Sequence, residues 1–256
     1  MTVRHAFNSD LETPWLEIGD VKFRSRLIVG IEQYDSITTV KNVLEATGAD
    51  VFITTVDPDN RRASLLLSDL DAVLPLDRFA WIGTTSFARS KESALRTAEI
   101  LRDSLGISIL KLDVRGENNV PDNRQTVEAA HELRAKGWEL MPFILPDLET
   151  ARQLEEAGCA ALRVMAAPVA SGRGIIDPSA IRAVIEQSRV PVIVEGGLGT
   201  AQHVALAMEL GADATLVNTA LVLARDPLKM AAAMRQASFA GRLAFESGPM
   251  PEDLAA

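Results

Sequence analysis

The residues best suited to chemistry stand in one short apolar run, Ile109-Leu110-Lys111-Leu112-Asp113-Val114. Side chains of an extended strand alternate between its two faces, so Leu110, Leu112 and Val114 share one face and Ile109, Lys111 and Asp113 the other. A lysine and a carboxylate therefore point the same way. Lysine is seldom buried without a partner, and an ion pair with Asp113 or another carboxylate is one reading of that placement. The other is a lysine that attacks a carbonyl as the neutral amine and forms an imine.

A second run repeats the pattern. Val190, Val192 and Val194 form one row, Ile193 and Glu195 the other, and Gly196-Gly197-Leu198-Gly199-Thr200 follows at once. Glu195 can move the protons that imine formation and enolisation require, or it can neutralise Lys111. Arg163 lies between Leu162 and Val164 and shares the direction of Lys111. It would either pair with Asp113 and Glu195 or repel the lysine's charge, and it is also a candidate for binding the substrate or its phosphate.

The elements that must hold these residues recur along the chain. Apolar runs at 27–29, 51–55, 81–84, 109–114, 140–143, 161–165, 191–195 and 214–217 make eight candidate strands, spaced by roughly 22 to 30 residues, the length of a strand-plus-helix unit. Helical periodicity fills most intervals, as in Ala94, Ala98, Leu101 and Leu105, and glycines 48, 106, 137, 158 and 211 stand where helices should stop. Eight such units predict a single-domain α/β fold, a (β/α)8 TIM barrel, with an open doubly wound sheet as the alternative. The repeat occupies residues 25–240, leaving an N-terminal arm over 1–24 and a surface tail over 241–256. In a barrel the active site forms at the C-terminal ends of the strands. Gly196 and Gly197 fall there, as do Gly172 and Gly174 in the loop after the sixth strand and Asn218 and Thr219 after the eighth. These positions suit a phosphate held on backbone N–H groups and a helix N-terminus. Glu32, Gln33 and Tyr34 after the first strand, and residues 57–62 after the second, border the same mouth.

Composition narrows the class. With 47% hydrophobic and 24% charged residues the chain reads as globular, and no stretch reaches the ~18 apolar residues of a membrane span. A net charge of −9 argues against a nucleic-acid partner. The first 14 residues lack the apolar centre of a secretion signal, so a cytoplasmic enzyme is expected. The single cysteine, Cys159, allows neither an internal disulfide nor a multi-thiolate metal site, and it falls at the opposite face of the barrel, where a small buried hydrophobe is expected. No histidine pair has metal spacing; His5, His131 and His203 read as structural, and nothing in the sequence requires a metal or organic cofactor.

Nearly the whole chain resembles the thiazole synthases of bacterial thiamin biosynthesis. The resemblance is carried by Ser-Arg-Leu-Ile-Val-Gly ending at Gly30, Lys-Leu-Asp-Val from Lys111, Pro-Asp-Asn ending at Asn123, Glu-Glu-Ala-Gly-Cys-Ala-Ala ending at Ala161, Ala-Pro-Val-Ala-Ser-Gly-Arg-Gly ending at Gly174, Val-Pro-Val-Ile-Val-Glu-Gly-Gly ending at Gly197, Met-Glu-Leu-Gly-Ala-Asp-Ala ending at Ala214 and Val-Asn-Thr-Ala ending at Ala220. It implies an imine between Lys111 and a keto sugar phosphate, and phosphate binding by Gly172, Gly174, Gly196, Gly197, Asn218 and Thr219. It also implies sulfur delivered as the C-terminal thiocarboxylate of a small ubiquitin-fold sulfur-carrier protein, and a homo-oligomer. Departures accompany it: the family usually has Glu at the position of Asp113 and Asp at that of Glu195, and Arg163 is unusual. A paralogue making a 2-thiosugar phosphate such as 2-thioglucose 6-phosphate is the expectation that follows. The alternatives are a thiazole synthase acting on 1-deoxyxylulose 5-phosphate and a carrier-independent sugar-phosphate aldolase or isomerase.

Overall fold

The computed structural model describes residues 13–31, 34, 36–55, 74–248 and 250. Residues 32, 33 and 57–62, assigned above to the mouth, lie outside them.

The chain enters through an antiparallel hairpin, β1 (Leu16–Ile18) and β2 (Val21–Phe23), turned at Gly19 with φ 58°. The barrel strands are β3 (Leu27–Val29), β4 (Val51–Thr55), β5 (Ala80–Thr84), β6 (Ile109–Leu112), β7 (Glu139–Ile144), β8 (Leu162–Met165), β9 (Val192–Glu195) and β10 (Ala214–Val217). Parallel ladders join them in the order β4-β5-β6-β7-β8-β9-β10-β3, and β3 meets β4 across the seam. The helices are α1 (Ile37–Thr47), α2 (Lys91–Leu105), α3 (Asn123–Ala135), α4 (Leu148–Glu156), α5 (Pro178–Gln187), α6 (Ala201–Glu209), the single turn α7 (Thr219–Val222) and α8 (Pro227–Ser247). This is the expected single-domain (β/α)8 barrel. None of the described helices is long and apolar enough to cross a membrane.

Local chemistry sets the helix ends. Ser36, Ser90, Asp122, Asp147, Asp177, Thr200 and Asp226 each cap a helix start by accepting from a backbone N–H of the first turn, an arrangement that stabilises a helix by about 1 kcal/mol. All seven caps follow strand ends, so they ring the catalytic face. At the far ends Gly48 and Gly106 take left-handed caps with φ 64° and 66°, as the stop pattern requires.

Alternation along the strands builds two apolar layers. Leu110, Leu112, Val114, Leu162, Val164, Val192 and Val194 pack under the helices. Ile28, Ile53, Ile82, Ile109, Met141, Ile193 and Ala214 fill the barrel, whose lower end is closed by Leu16, Ile18 and Phe23 of the hairpin. The hairpin is held there by Trp15 Nε1, which donates to the Ser25 carbonyl at 3.0 Å, and by the Arg24 and Ser25 N–H groups, which donate to Asp50 Oδ2 at 2.6 and 3.0 Å. Burial pushes the Asp50 carboxyl up and these N–H groups pull it back. Among the described residues the lower end is thus plugged, which leaves the polar interior residues toward the top.

Two boundaries differ from the pattern. The strand expected over 109–114 ends at Leu112, since Asp113 and Val114 leave the ladder, although both keep the alternation. The surface tail expected from residue 241 is helical through Ser247. Gly241 inside that helix is a contact: a Cβ there would run into the Ala205 carbonyl and Met208 of α6, so its absence lets α8 lie against α6.

Candidate active site

Lys111, Asp113, Arg163 and Glu195 meet at the top of the barrel interior, brought there from β6, β8 and β9. All four are buried, and Arg163 is 0% exposed. Neighbouring strands place Arg163 opposite Phe143 and Ile193, and Glu195 opposite Met165 and Leu216. Arg163 occupies the centre. Its NH1 and NH2 donate to Asp113 Oδ1 at 2.9 and 2.5 Å, and NH2 also reaches Glu195 Oε1 at 3.3 Å. Its guanidinium lies 5.3 Å from the centroid of the Phe143 ring, within the range of a favourable cation–π contact.

Lys111 is held more loosely. Its Nζ is 3.4 Å from both oxygens of Asp113 and 3.7 Å from Glu195 Oε1. The short bonds to Asp113 belong to arginines. Arg115, from the loop after β6, donates through Nε at 2.9 Å and through NH2 to Oδ2 and lies 5.7 Å from the Phe143 centroid. Burial by itself pushes the Asp113 carboxyl up, but Arg163, Lys111 and Arg115 outweigh it and hold the group well below the usual carboxylate range. Three cationic side chains therefore face two carboxylates.

Sequence reading missed three members of this site. Arg115 continues the inward row 109, 111, 113, and the same alternation extended by two residues would have found it. Phe143 follows Met141 on the inward side of β7. Thr85 carries no sequence signal: its hydroxyl donates to the Asp113 carbonyl and accepts from the Asp113 N–H, both at 2.8 Å. It thus holds the backbone that has left the ladder.

The glycines of two loops come together above Glu195. Gly172, Gly174, Gly196 and Gly197 have φ of 65°, 74°, 80° and 67°, all in the left-handed region. The Gly174 N–H donates to the Gly197 carbonyl at 2.9 Å, and a Cβ on Gly199 would sit 2.9 Å from the Gly172 Cα. Helix α6 starts just beyond, and His203 in its first turn accepts from the Gly199 N–H at 3.1 Å. His203 therefore buttresses the loop. Asn218 and Thr219 stand at the end of the adjacent β10. A Cβ on Gly197 would meet that of Ala167 at 2.5 Å, so Gly197→Ala must strain the backbone and displace the loop, with an expected cost of about 2 kcal/mol. Thermal unfolding should show it as a Tm lower by roughly 4–8 °C, and the KM for the enzyme's substrate should rise about tenfold or more. An unchanged KM would separate this loop from substrate binding.

Cys159 is buried at the lower face, where burial pushes its thiol up to about 12, and it behaves as the inert small hydrophobe that was expected.

Fold and site together define an enzyme of the (β/α)8 class with a buried lysine at its mouth. Residues 17–256 match the family described as thiazole biosynthesis protein ThiG, and the chain belongs to that family. The thiazole synthase of Acidithiobacillus ferrooxidans is 39% identical over 241 residues, covering 93% of each chain. That of Exiguobacterium sibiricum is 41% identical over 235 residues, covering 91% of this chain and 92% of its own. Among solved structures, the Amycolatopsis orientalis BexX/CysO complex contains a chain 75% identical to this one, with TM-score 0.91, covering 93% of this chain and 98% of that one. A thiamine phosphate pyrophosphorylase from Pyrococcus furiosus, 16% identical with TM-score 0.53 over 83% of this chain and 93% of its own, shares the fold alone.

Proposed function

We propose that Lys111 forms an imine with C1 of an aldohexose phosphate, and that the enzyme then replaces the oxygen on C2 with sulfur from a thiocarboxylated carrier protein, giving a 2-thiosugar phosphate such as 2-thioglucose 6-phosphate. The observation that carries this reading is the placement of Lys111: buried at the open end of the barrel, within 3.4–3.7 Å of two carboxylates and beneath a glycine-lined rim.

The chemistry balances without an external redox partner. Condensation of the amine with the C1 aldehyde releases water. An Amadori-type shift moves hydrogen from C2 and its hydroxyl to nitrogen and C1, leaving a C2 carbonyl. The carrier's thiocarboxylate sulfur attacks that carbon, and the C2 oxygen leaves with the carrier as a carboxylate. Reversal of the shift and hydrolysis of the imine release the thiosugar phosphate and free Lys111. Gly172, Gly174, Gly196, Gly197, Asn218 and Thr219 would hold the phosphate, with Arg163 fixing the two acids that serve the lysine.

Two observations support the finer parts of this reading. Identity of 75% to a BexX chain crystallised with CysO, against 37–41% to thiazole synthases, supports a specialised branch and a protein partner. Exposed Phe87, Ile176 and Leu223 lie on connections at the catalytic face and exposed Leu148 begins α4 there, and they suit a docked protein. The test is to incubate the enzyme with hexose phosphates, reduce with borohydride and map the adduct by mass spectrometry, then add thiocarboxylated carrier and assay products. An adduct on Lys111 and a thiosugar phosphate are expected. Thiazole phosphate from 1-deoxyxylulose 5-phosphate, with hexose phosphates ignored, would transfer the chain to the other branch of the family; turnover without any sulfur source would make it an aldolase or isomerase.

A further inference from the structure

We propose that the two acids of the site have unequal roles: Asp113 is an ionised anchor that positions Lys111 and exchanges no proton, and Glu195 carries the protons of the C2-to-C1 shift once the imine has formed. This rests on the imine reading of Lys111 and assigns the work around it.

The geometry separates the two groups. Both oxygens of Asp113 are occupied, Oδ1 by the NH1 and NH2 of Arg163 and Oδ2 by the Nε and NH2 of Arg115, with Lys111 Nζ 3.4 Å from each. Thr85 fixes its backbone on both sides, and the side chain has no exposed surface. A proton could reach this carboxylate only by displacing a guanidinium that remains charged throughout. Glu195 is different. Its Oε1 has only long contacts, 3.3 Å to Arg163 and 3.7 Å to Lys111, and its Oε2 is buried with no hydrogen-bond partner among the described residues. A buried acceptor left open is costly unless a proton or a substrate hydroxyl completes it. Glu195 also ends β9, and its own carbonyl accepts from the Ala166 N–H at 2.7 Å, so it sits directly below the glycine rim. The charged groups facing it are Lys111 on β6 and Arg163 on β8, with Asp113 and Arg115 behind them. The lowered proton affinity of Asp113 agrees with its being held as an anion.

The steps follow. From the protonated imine, Glu195 takes the C2 proton; the electron pair of that C–H bond forms C1=C2, and the C1=N π pair returns to nitrogen. Protonated Glu195 then delivers a proton to C1, and the C2 hydroxyl proton passes back to Glu195. A C2 ketone, a neutral secondary amine and a protonated Glu195 remain, and nothing has been oxidised or reduced overall.

The test uses glucose 6-phosphate carrying deuterium at C2, following adduct trapping on Lys111 and label exchange, the departure of the label from C2 whether to C1 or to solvent, in parallel over a range of pH, with thermal melts to check folding. Glu195→Gln should keep the trapped adduct within about threefold of wild type, lose label exchange by on the order of 10²–10³-fold and remove the acid limb of the exchange profile. Glu195→Asp should restore part of the exchange. Asp113→Asn should lower adduct and exchange together and leave the acid limb in place. Should that variant not fold, Asp113→Glu, which keeps the anion, must retain the acid limb. Exchange that survives in Glu195→Gln, or an acid limb that vanishes with an Asp113 variant while the adduct persists, overturns the division of roles. Absence of any adduct in the wild type defeats the imine reading and this proposal with it.

Discussion

Lys111→Ala will form no borohydride-trappable adduct with any sugar phosphate and will lose turnover by on the order of 10³-fold or more, the scale on which removal of a covalent nucleophile acts. The fold should survive, and the structure says why. Without Lys111, two arginines still face two carboxylates, and every short bond to Asp113 is retained, because the lysine contributes only contacts of 3.4–3.7 Å. The melting temperature should therefore move by only a few degrees while activity disappears. Lys111→Arg separates charge from nucleophilicity: it keeps the cation, cannot form the imine and should be equally inactive. Thiosugar formation by either variant, or an adduct mapped to a different lysine, would remove Lys111 from the chemistry.

Arg163→Met is expected to give the largest loss of stability of any single substitution in the site. The change preserves much of the length and volume of the side chain but deletes the cation that binds Asp113 twice and Glu195 once. Removing one member of a fully buried ionic cluster typically costs about 3–5 kcal/mol, because its partners stay desolvated. For a chain of this size each kcal/mol moves Tm by roughly 2–4 °C, so a fall of about 10 °C is expected. The pH dependence has a definite sign. Asp113 is held below its ordinary value near 3.9, so its stabilisation is complete above that pH and is lost as pH falls through the native-state value. The variant has less of this stabilisation, and its acid-unfolding midpoint should lie at higher pH than that of the wild type. Adduct formation should also slow, because Asp113 Oδ1 and Glu195, released from Arg163, could then close on Lys111 and hold it as a charged ion pair. Equal melting temperatures and equal acid midpoints would show that Arg163 is incidental to the site.

Arg115 illustrates where reading from sequence stopped. Alternation places residues 109, 111 and 113 inward, and Arg115 obeys the same rule, but the chain leaves the ladder after Leu112. Its position therefore depends on the loop. That loop is tied to its neighbour by the Arg115 N–H donating to the Ala88 carbonyl at 3.1 Å and by Arg89 NH2 donating to Asn119 Oδ1 at 2.8 Å. The hairpin at 16–23 was read only as part of an arm, since three-residue strands carry too little pattern to announce themselves. The tail expected from residue 241 is helical through Ser247, and Gly241 within it finds its use only beside α6, where a Cβ would collide.

The eight-fold repeat, the face of each strand on which Lys111, Arg163 and Glu195 lie, and the left-handed turns at the glycines are legible in the residue pattern alone. These follow from local rules, the two-residue period of a pleated strand and the absence of a Cβ. Who pairs with whom is set by how the strands close around the barrel. That Asp113 is shared by Arg163, fifty residues away, and Arg115, two residues away, while Lys111 is left with long contacts, depends on ring order, strand register and side-chain reach. Each of these comes from packing across the barrel, where separation along the chain says nothing about distance.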